Sequence, residues 1–365
     1  MPDLDVLLVG PYPPPYGGIS AHVERLARSI QSAGLRSGVL NHFGDQASDP
    51  LVIGELRRNP WRYWRELRRA RARVVHYHHS RWSTLLAAAL ALRQRRAPTV
   101  ARVATVHGRE LEPFLRSRIP GVAWMTRKAL RSFDLLIAVS VEIEPSLRAL
   151  GRPVKVMPAY LPARGEPAVL SSRASAFLRR GTSLVVAAYR LTVDDHARTI
   201  YGLETAIAAF AGVARARPEL QLAVFLATAP ASRRERELLR SLIDTVEDVH
   251  IRGRIAVFCG EPLSPAFAFT AVYLRPTLTD GDAVSIREAL DAGVPVVASN
   301  VVRRPRGVET ADLDVPAWRA AIVTALERGA SHCGSDSGTD AASELIDIYA
   351  GLGCAVAATA EPVTS

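Results

Sequence analysis

Short, largely apolar runs recur along the chain and alternate with longer stretches whose apolar residues fall three or four positions apart. The runs over 6–10, 37–41, 74–79, 101–106, 134–140 and 154–158 in the first half, and over 183–188, 222–226, 250–258, 272–274 and 294–298 in the second, are rich in β-branched residues and bounded by turn residues. That pattern predicts strands buried on both faces of parallel sheets. Residues 22–31, 202–213, 315–327 and 342–352 carry the helical period instead. Alternation of this kind in both halves predicts an α/β protein of two doubly wound domains. A Pro- and Gly-bearing segment over 158–175 separates them, which sets a first domain at 1–160 and a second at 161–340. Residues 341–365 then form a last helix and a patternless tail, preceded by a small, polar connector over 331–343.

The most informative stretch is 275–300, RPTLTDGDAVSIREALDAGVPVVASN. Asp280, Gly281 and Asp282 supply turn chemistry, and Ser285 or Asp282 is suited to cap a helix with Ile286, Ala289 and Leu290 on its apolar side. Gly293 and Pro295 end that helix, and 294–298 is a buried strand. The polar residues gather at the helix start, where unpaired N–H groups and a partial positive charge suit an anionic or hydroxyl-rich ligand. Glu288 follows Asp280 at a distance that lets two carboxylates accept hydrogen bonds from sugar hydroxyls. An acidic first helical turn that complements the helix dipole fits the same pattern.

Upstream, the first strand runs into PYPPPYGGIS, a loop with Tyr12 near its start and Gly17 and Gly18 before a helix. The glycine pair allows close backbone approach to a phosphate, although the dinucleotide spacing G-x-G-x-x-G is absent. His76 and His78 share one face of a strand by its period of two. No carboxylate or cysteine completes a metal site around them, so they are expected to line a cleft at the strand's carboxyl end. His107 closes the next strand in the same way. Between Arg57 and Arg73 eight arginines surround Trp61, Tyr63 and Trp64, with Asn59 and Pro60 placed as N-cap and first helical residue. As a helix, this segment puts Trp61, Trp64, Leu67 and Arg68 on one stripe flanked by Arg62, Arg65, Arg69 and Arg73. It reads either as a membrane-surface helix or as a helix whose tryptophans pack on the sheet while its arginines are solvated.

The 365 residues suffice for two domains, and the formal charge of +10 favours an anionic partner, either an anionic membrane surface or a phosphorylated substrate. No zinc-finger, RNP-like or helix-turn-helix pattern is present, so nucleic acid is not expected. The longest apolar helical candidate, 85–92, is far below the ~20 residues of a spanning helix. Cys259, Cys333 and Cys354 are widely spaced without ligand pattern, and the N-terminus lacks a basic leader. Both features suggest a cytoplasmic protein, peripheral at the inner face of a membrane if the basic helix docks there.

The 275–300 stretch resembles the signature of family 4 glycosyltransferases of the GT-B fold, in which two glutamates separated by seven positions precede a Gly-x-Pro-Val-Val-Ala-Ser strand. Here the second acid is Glu288, the tail is 293–299, and the first acid is the shorter Asp280. The Gly17–Gly18 loop, the DLLIAVS run over 134–140 and Arg190 after a strand are also similar to the family. Its Lys-Gly pair reads Tyr201-Gly202, so one cation is missing, with Arg275 or Arg252 as replacements. The resemblance implies two Rossmann-like domains facing a central cleft and a metal-independent, retaining transfer from a nucleotide sugar, without cofactor. It implies that Glu288 binds the donor ribose and that Asp280 with the backbone of Gly281, Asp282, Ala283 and Val284 holds the donor sugar. Arg190, helped by Gly17 and Gly18, would neutralise the departing diphosphate, and His107 would approach the sugar. The acceptor would be a sugar, a small molecule or a lipid-linked glycan in cell-surface polysaccharide or glycolipid assembly, near first-domain residues such as His76, His78 and Tyr12. Two rivals are a nucleotide-sugar epimerase of the same fold and a non-catalytic sugar-nucleotide binder acting as a membrane-bound assembly partner. The Asp280 and Tyr201 departures motivate the second.

Overall fold

Residues 3–43, 49–78, 81–93, 100–162, 168–280, 283–329 and 341–354 are described by the structure, a computed structural model. The chain divides into two compact units, one of residues 1–14, 18–165 and 339–365 and one of residues 15–17 and 166–338.

The first unit is built on seven parallel strands, β1 (Asp3–Gly10), β2 (Ser37–Asn41), β3 (Val52–Glu55), β4 (Arg71–His78), β5 (Ala101–Val106), β6 (Leu135–Ala138) and β7 (Val154–Val156). They lie in the order β3-β2-β1-β4-β5-β6-β7. The second unit has six, β8 (Thr182–Ala188), β9 (Leu220–Leu226), β10 (Ile255–Cys259), β11 (Thr270–Arg275), β12 (Val296–Ser299) and β13 (Val308–Ala311), in the order β10-β9-β8-β11-β12-β13. Each sheet is wound outward in one direction and then in the other. The winding reverses between β1 and β4 in the first unit and between β8 and β11 in the second. In open α/β sheets the carboxyl ends of strands flanking such a reversal form the ligand crevice, because loops diverge there to opposite faces.

Strand periodicity decides which residues reach which layer. Val6, Leu8, Val39, Val74, Val103 and Ile137 bury one face of the first sheet against the helix Gly18–Ser32 and the final helix Ala341–Gly351. In the second unit Leu184, Val186, Leu222, Val224 and Leu274 meet the helices Leu203–Ala214 and Val315–Arg328. The alternate residues Val185, Ala223, Phe225, Tyr273 and Val296 meet Ser172–Leu178 and Val284–Asp291 on the other face. Each Val, Leu, Ile or Phe among them, fully buried, contributes about 1.5–3 kcal/mol of transfer free energy.

Several local expectations are corrected. The run over 250–258 is not one strand: Asp248 accepts hydrogen bonds from the N–H groups of His250 and Ile251 and starts a helical turn, Val249–Arg252, before β10. The edge strands β3 and β13 have half-buried residues and no continuous apolar run, so no strand was expected at either. In the arginine-rich segment Asn59 and Pro60 do cap and open a helix, Pro60–Arg69, but its buried residues are Tyr63 and Leu67. Trp61 is 78% exposed, and Arg73 belongs to β4. The helix Val284–Asp291 begins after Ala283 with no side-chain cap. Ser285 is instead the acceptor for the Tyr273 hydroxyl at 2.8 Å. Gly281 and Asp282, the connector over 331–340 and the tail from 355 lie outside the described residues. Among the described residues, no helix is long and apolar enough to cross a membrane.

Candidate functional site

The reversal between β8 and β11 carries most of the residues expected to bind a donor. Arg190 follows β8 by two positions, is exposed, and has no ion-pair or hydrogen-bond partner among the described residues. Arg275 ends β11, the neighbouring strand. Its Nη2 donates to Asp280 Oδ1 at 3.0 Å and its Nε to Oδ2 at 3.1 Å, a bidentate pair. Arg304 Nη1 donates to the same Oδ2 at 2.8 Å, while its Nε and Nη2 donate to the carbonyl and hydroxyl of Ser299. The Asp280 and Arg304 side chains are 7% and 3% exposed.

Burial alone would raise the Asp280 pKa, but the charges and hydrogen bonds of Arg275 and Arg304 outweigh it and hold the carboxyl below its usual range. Two guanidinium charges against one carboxylate leave a net positive charge at this strand end. The resemblance makes Asp280 a sugar contact; in the structure its carboxylate holds two arginines and thereby fixes the loop that follows β11. The guanidinium of Arg275 lies over the Tyr201 ring, 5.1 Å from its centroid, so a cation does stand beside the position where the family has lysine. Arg252, the other replacement considered, is paired with Asp244 at 3.1 Å beside a different helix.

Gly202 makes this packing possible. It adopts φ 64°, ψ 34° at the start of Leu203–Ala214, and a Cβ there would lie 1.8 Å from the Pro276 carbonyl oxygen. Leu278 N and Thr277 Oγ1 both donate to the Ile200 carbonyl, tying the loop after β11 to the segment before Gly202. Glu288 is half-buried in the second turn of Val284–Asp291. Ala283 precedes that helix with an extended backbone, and Val284 is buried at its first position. Ala283 offers this helix no side-chain acceptor, so among the described residues the N–H groups of Val284 and Ser285 at its start are donors for an anion.

In the first unit the reversal between β1 and β4 gathers histidines. His76 is fully buried, its Nδ1 2.6 Å from the Tyr349 hydroxyl and its Nε2 2.7 Å from Thr105 Oγ1. His78 is also fully buried, with Nδ1 3.2 Å from Nε2 of His107. Tyr12 is 2% exposed and its hydroxyl donates to Asp49 Oδ2, which also pairs with Arg28. These three residues were expected to line an acceptor cleft, and the structure corrects that: all three are buried, Tyr12 and His76 spend their polar atoms on internal partners, and Nδ1 of His78 faces His107. Burial, with the nearby His22, pushes the His76 pKa down to about 3, so its ring is neutral. His107 is half-exposed just beyond β5, and Gly17 precedes the helix that Gly18 opens.

Three residues of these clusters had no assigned role from sequence. His22 lies on the buried face of its helix between Ile19 and Leu26, and a histidine on an apolar stripe was the signal available. Tyr349 likewise falls on the packed side of the last helix. Arg304 sits in a basic loop where nothing distinguishes it from its solvated neighbours.

Two family models match the chain, Glycosyltransferase Family 4 over residues 16–159 and Glycosyl transferases group 1 over residues 191–328. No curated protein matches it in sequence. Among solved structures, a sucrose-phosphate synthase from Thermosynechococcus elongatus superposes with TM-score 0.63 at 16% identity, covering 95% of each chain. A trehalose-6-phosphate protein of E. coli bound with UDP-2-fluoro glucose gives 0.59 at 14% identity, covering 95% of this chain and 96% of that one. A protein from Listeria monocytogenes described as a UDP-N-acetylglucosamine 2-epimerase gives 0.60 at 14% identity, with 95% of each chain covered. At such identities these likenesses establish the fold. Glycosyltransferase models match within both halves, and each half has a doubly wound parallel sheet; the chain is a glycosyltransferase of the GT-B type.

Proposed function

We propose that this glycosyltransferase takes its sugar from a nucleoside-diphosphate donor held by the second unit, and passes it to a hydroxyl acceptor with retention of anomeric configuration. The observation that carries the reading is the gathering of Arg190, the Arg275–Asp280–Arg304 cluster and the start of Val284–Asp291 at one chain reversal. A nucleoside diphosphate presents what this strand end would recognise, two phosphates for the cations and helix N–H groups, and ribose hydroxyls for a carboxylate.

In this reading Glu288 accepts hydrogen bonds from the ribose, Arg190 neutralises the diphosphate, and Asp280 positions Arg275. The bond from the anomeric carbon to the phosphate oxygen breaks as the acceptor oxygen approaches the same face. The acceptor's proton passes to the departing phosphate oxygen. Charge builds on the leaving group, so fixed cations and dipoles lower the barrier without a metal on the diphosphate.

Glu288→Ala tests the assignment. Loss of charged hydrogen bonds worth about 1.5–3 kcal/mol each weakens donor binding and turnover by at least ~10-fold. Unfolding should stay near wild type; a fully active variant sinks the role of Glu288. The donor base is found by thermal shift with UDP, GDP, TDP and ADP sugars, since a ligand at 100 times its Kd stabilises the folded state by about 2.7 kcal/mol.

We further assign the acceptor to lipid-linked glycans at an anionic membrane surface. The helices Pro60–Arg69 and Trp82–Arg93 pack side by side and form an open groove of about 410 Å³ lined by Trp61, Trp64, Leu86 and Leu90. The adjoining helix Val122–Leu130 exposes Trp124 beside Arg127, Lys128 and Arg131. Aromatic anchors among arginines match an interface of acyl chains and phosphates. Co-sedimentation with phosphatidylglycerol vesicles, reduced by Trp61→Ala and by salt, is the expected result; no binding at low salt removes the membrane from the reading.

A further inference from the structure

The first unit brings together three imidazoles, and His107, which the family resemblance places near the donor sugar, is the outermost of them. His22 comes from the second turn of Gly18–Ser32, His78 is the last residue of β4, and His107 follows β5. One nitrogen from each lies within 4.8 Å of the other two. Their placement depends on Gly10: a Cβ there would stand 2.9 Å from Val23 Cγ2 and 3.1 Å from His78 Cβ, so glycine lets the helix carrying His22 close onto β4.

Two features go beyond proximity. Nδ1 of His78 and Nε2 of His107 are 3.2 Å apart. A tetrahedral zinc ion with Zn–N bonds of about 2.0–2.1 Å holds its nitrogens roughly 3.3 Å from one another, so this pair already has the spacing of two ligands on one ion. His22 Nδ1 is 2.6 Å from the Ala159 carbonyl oxygen, which accepts only if Nδ1 carries the proton. That leaves the lone pair on Nε2, and a backbone carbonyl orienting the other ring nitrogen is how metal-bound histidines are ordinarily held.

Nε2 of His22, the nitrogen this tautomer leaves free to ligate, is buried without a hydrogen-bond partner among the described residues. Buried nitrogens left unsatisfied are costly, and coordination would satisfy a lone pair that no protein donor reaches.

We propose that His22, His78 and His107 form a three-histidine site for a divalent transition-metal ion, zinc fitting the set best. Imidazole donors without a carboxylate select zinc, cobalt, nickel or copper over magnesium and calcium. Three protein ligands leave a fourth position for water or another small donor. The sequence pointed away from a metal because His76 and His78 stood there as a pair; the third ligand comes from a helix far earlier in the chain, and His76 is engaged elsewhere.

The proposal rests on this geometry alone, and its test reads binding rather than catalysis. The chelator-treated full-length chain is titrated with Co²⁺, followed by visible absorption, and zinc affinity is measured by competition with a chromophoric chelator. One equivalent of Co²⁺ should give the intense bands of a low-coordinate ion, abolished by equimolar Zn²⁺. His107→Gln, at the half-exposed ligand, should weaken zinc at least ~100-fold, beyond the 10–100-fold typical of residues that only orient a ligand. His196→Gln and His250→Gln, both exposed, should leave binding unchanged. Absence of stoichiometric Co²⁺ binding in the wild type overturns the proposal. So does zinc affinity within threefold of wild type in His107→Gln, and neither outcome depends on whether His22 or His78 variants fold.

Discussion

Replacing Asp280 with asparagine isolates what its carboxylate does. The side chain accepts three charged hydrogen bonds, from Nε and Nη2 of Arg275 and Nη1 of Arg304, in surroundings where Arg275 is 13% exposed and Arg304 3%. Asparagine keeps the shape but leaves two guanidinium charges uncompensated in that space. Breaking a buried pair by removing one partner costs about 3–5 kcal/mol, mostly the penalty of the stranded charge. For a unit of this size 1 kcal/mol corresponds to roughly 2–4 °C, so the second unit should melt roughly 6–20 °C lower. Differential scanning calorimetry can follow two units as separate transitions, and only the one containing β8–β13 should move.

The pH dependence gives an independent check. The folded-state carboxyl titrates below its unfolded value, so its stabilisation is complete above about pH 4, the unfolded pKa of aspartate, and is lost as pH falls through the folded value. The difference between wild type and Asp280→Asn should therefore be constant near neutrality and shrink below about pH 4. A variant that melts within about 1 kcal/mol of wild type while losing donor affinity refutes the reasoning, because Asp280 would then act on the sugar and not on the arginines.

Two further substitutions probe the same strand end. Gly202→Ala introduces a Cβ 1.8 Å from Pro276 O at a positive φ, so it should destabilise the second unit by more than the ~1–2 kcal/mol of left-handed strain alone, read by urea unfolding. Arg190→Ala removes an exposed cation with no partner to strand among the described residues, so unfolding should be unchanged while nucleoside-diphosphate affinity falls ~10- to 150-fold with a weaker salt dependence, measured by calorimetric titration.

The parts of this fold that were legible are those where one physical effect dominates. Continuous apolar runs became the inner strands, since a parallel sheet covered on both faces needs them. Asn59 followed by Pro60 specified a helix start through local chemistry alone. The edge strands β3 and β13 escaped because an edge pairs on one side and tolerates Glu55 or Thr310 where an inner strand would not. Trp61 and Tyr63 misled because aromatic content says that a surface exists, while the angle of the helix on its neighbours decides which ring is covered.

The candidate sites show the same division more sharply. Turn residues, a helix start and Glu288 could be read from 275–300, but the buried cluster could not, because its second arginine lies 24 residues after Asp280 in a loop of similar arginines. A charge that is buried and paired and a charge that is solvated have the same one-letter code; what separates them is desolvation, a property of the fold. His22 differs: a histidine at a buried helical position must be neutral and hydrogen-bonded or coordinated, and that much is implied by its place on the apolar stripe. Polar residues on apolar faces therefore carry more information about hidden sites than charge-rich loops do, and in this chain they lead to the histidine cluster that the motifs pass over.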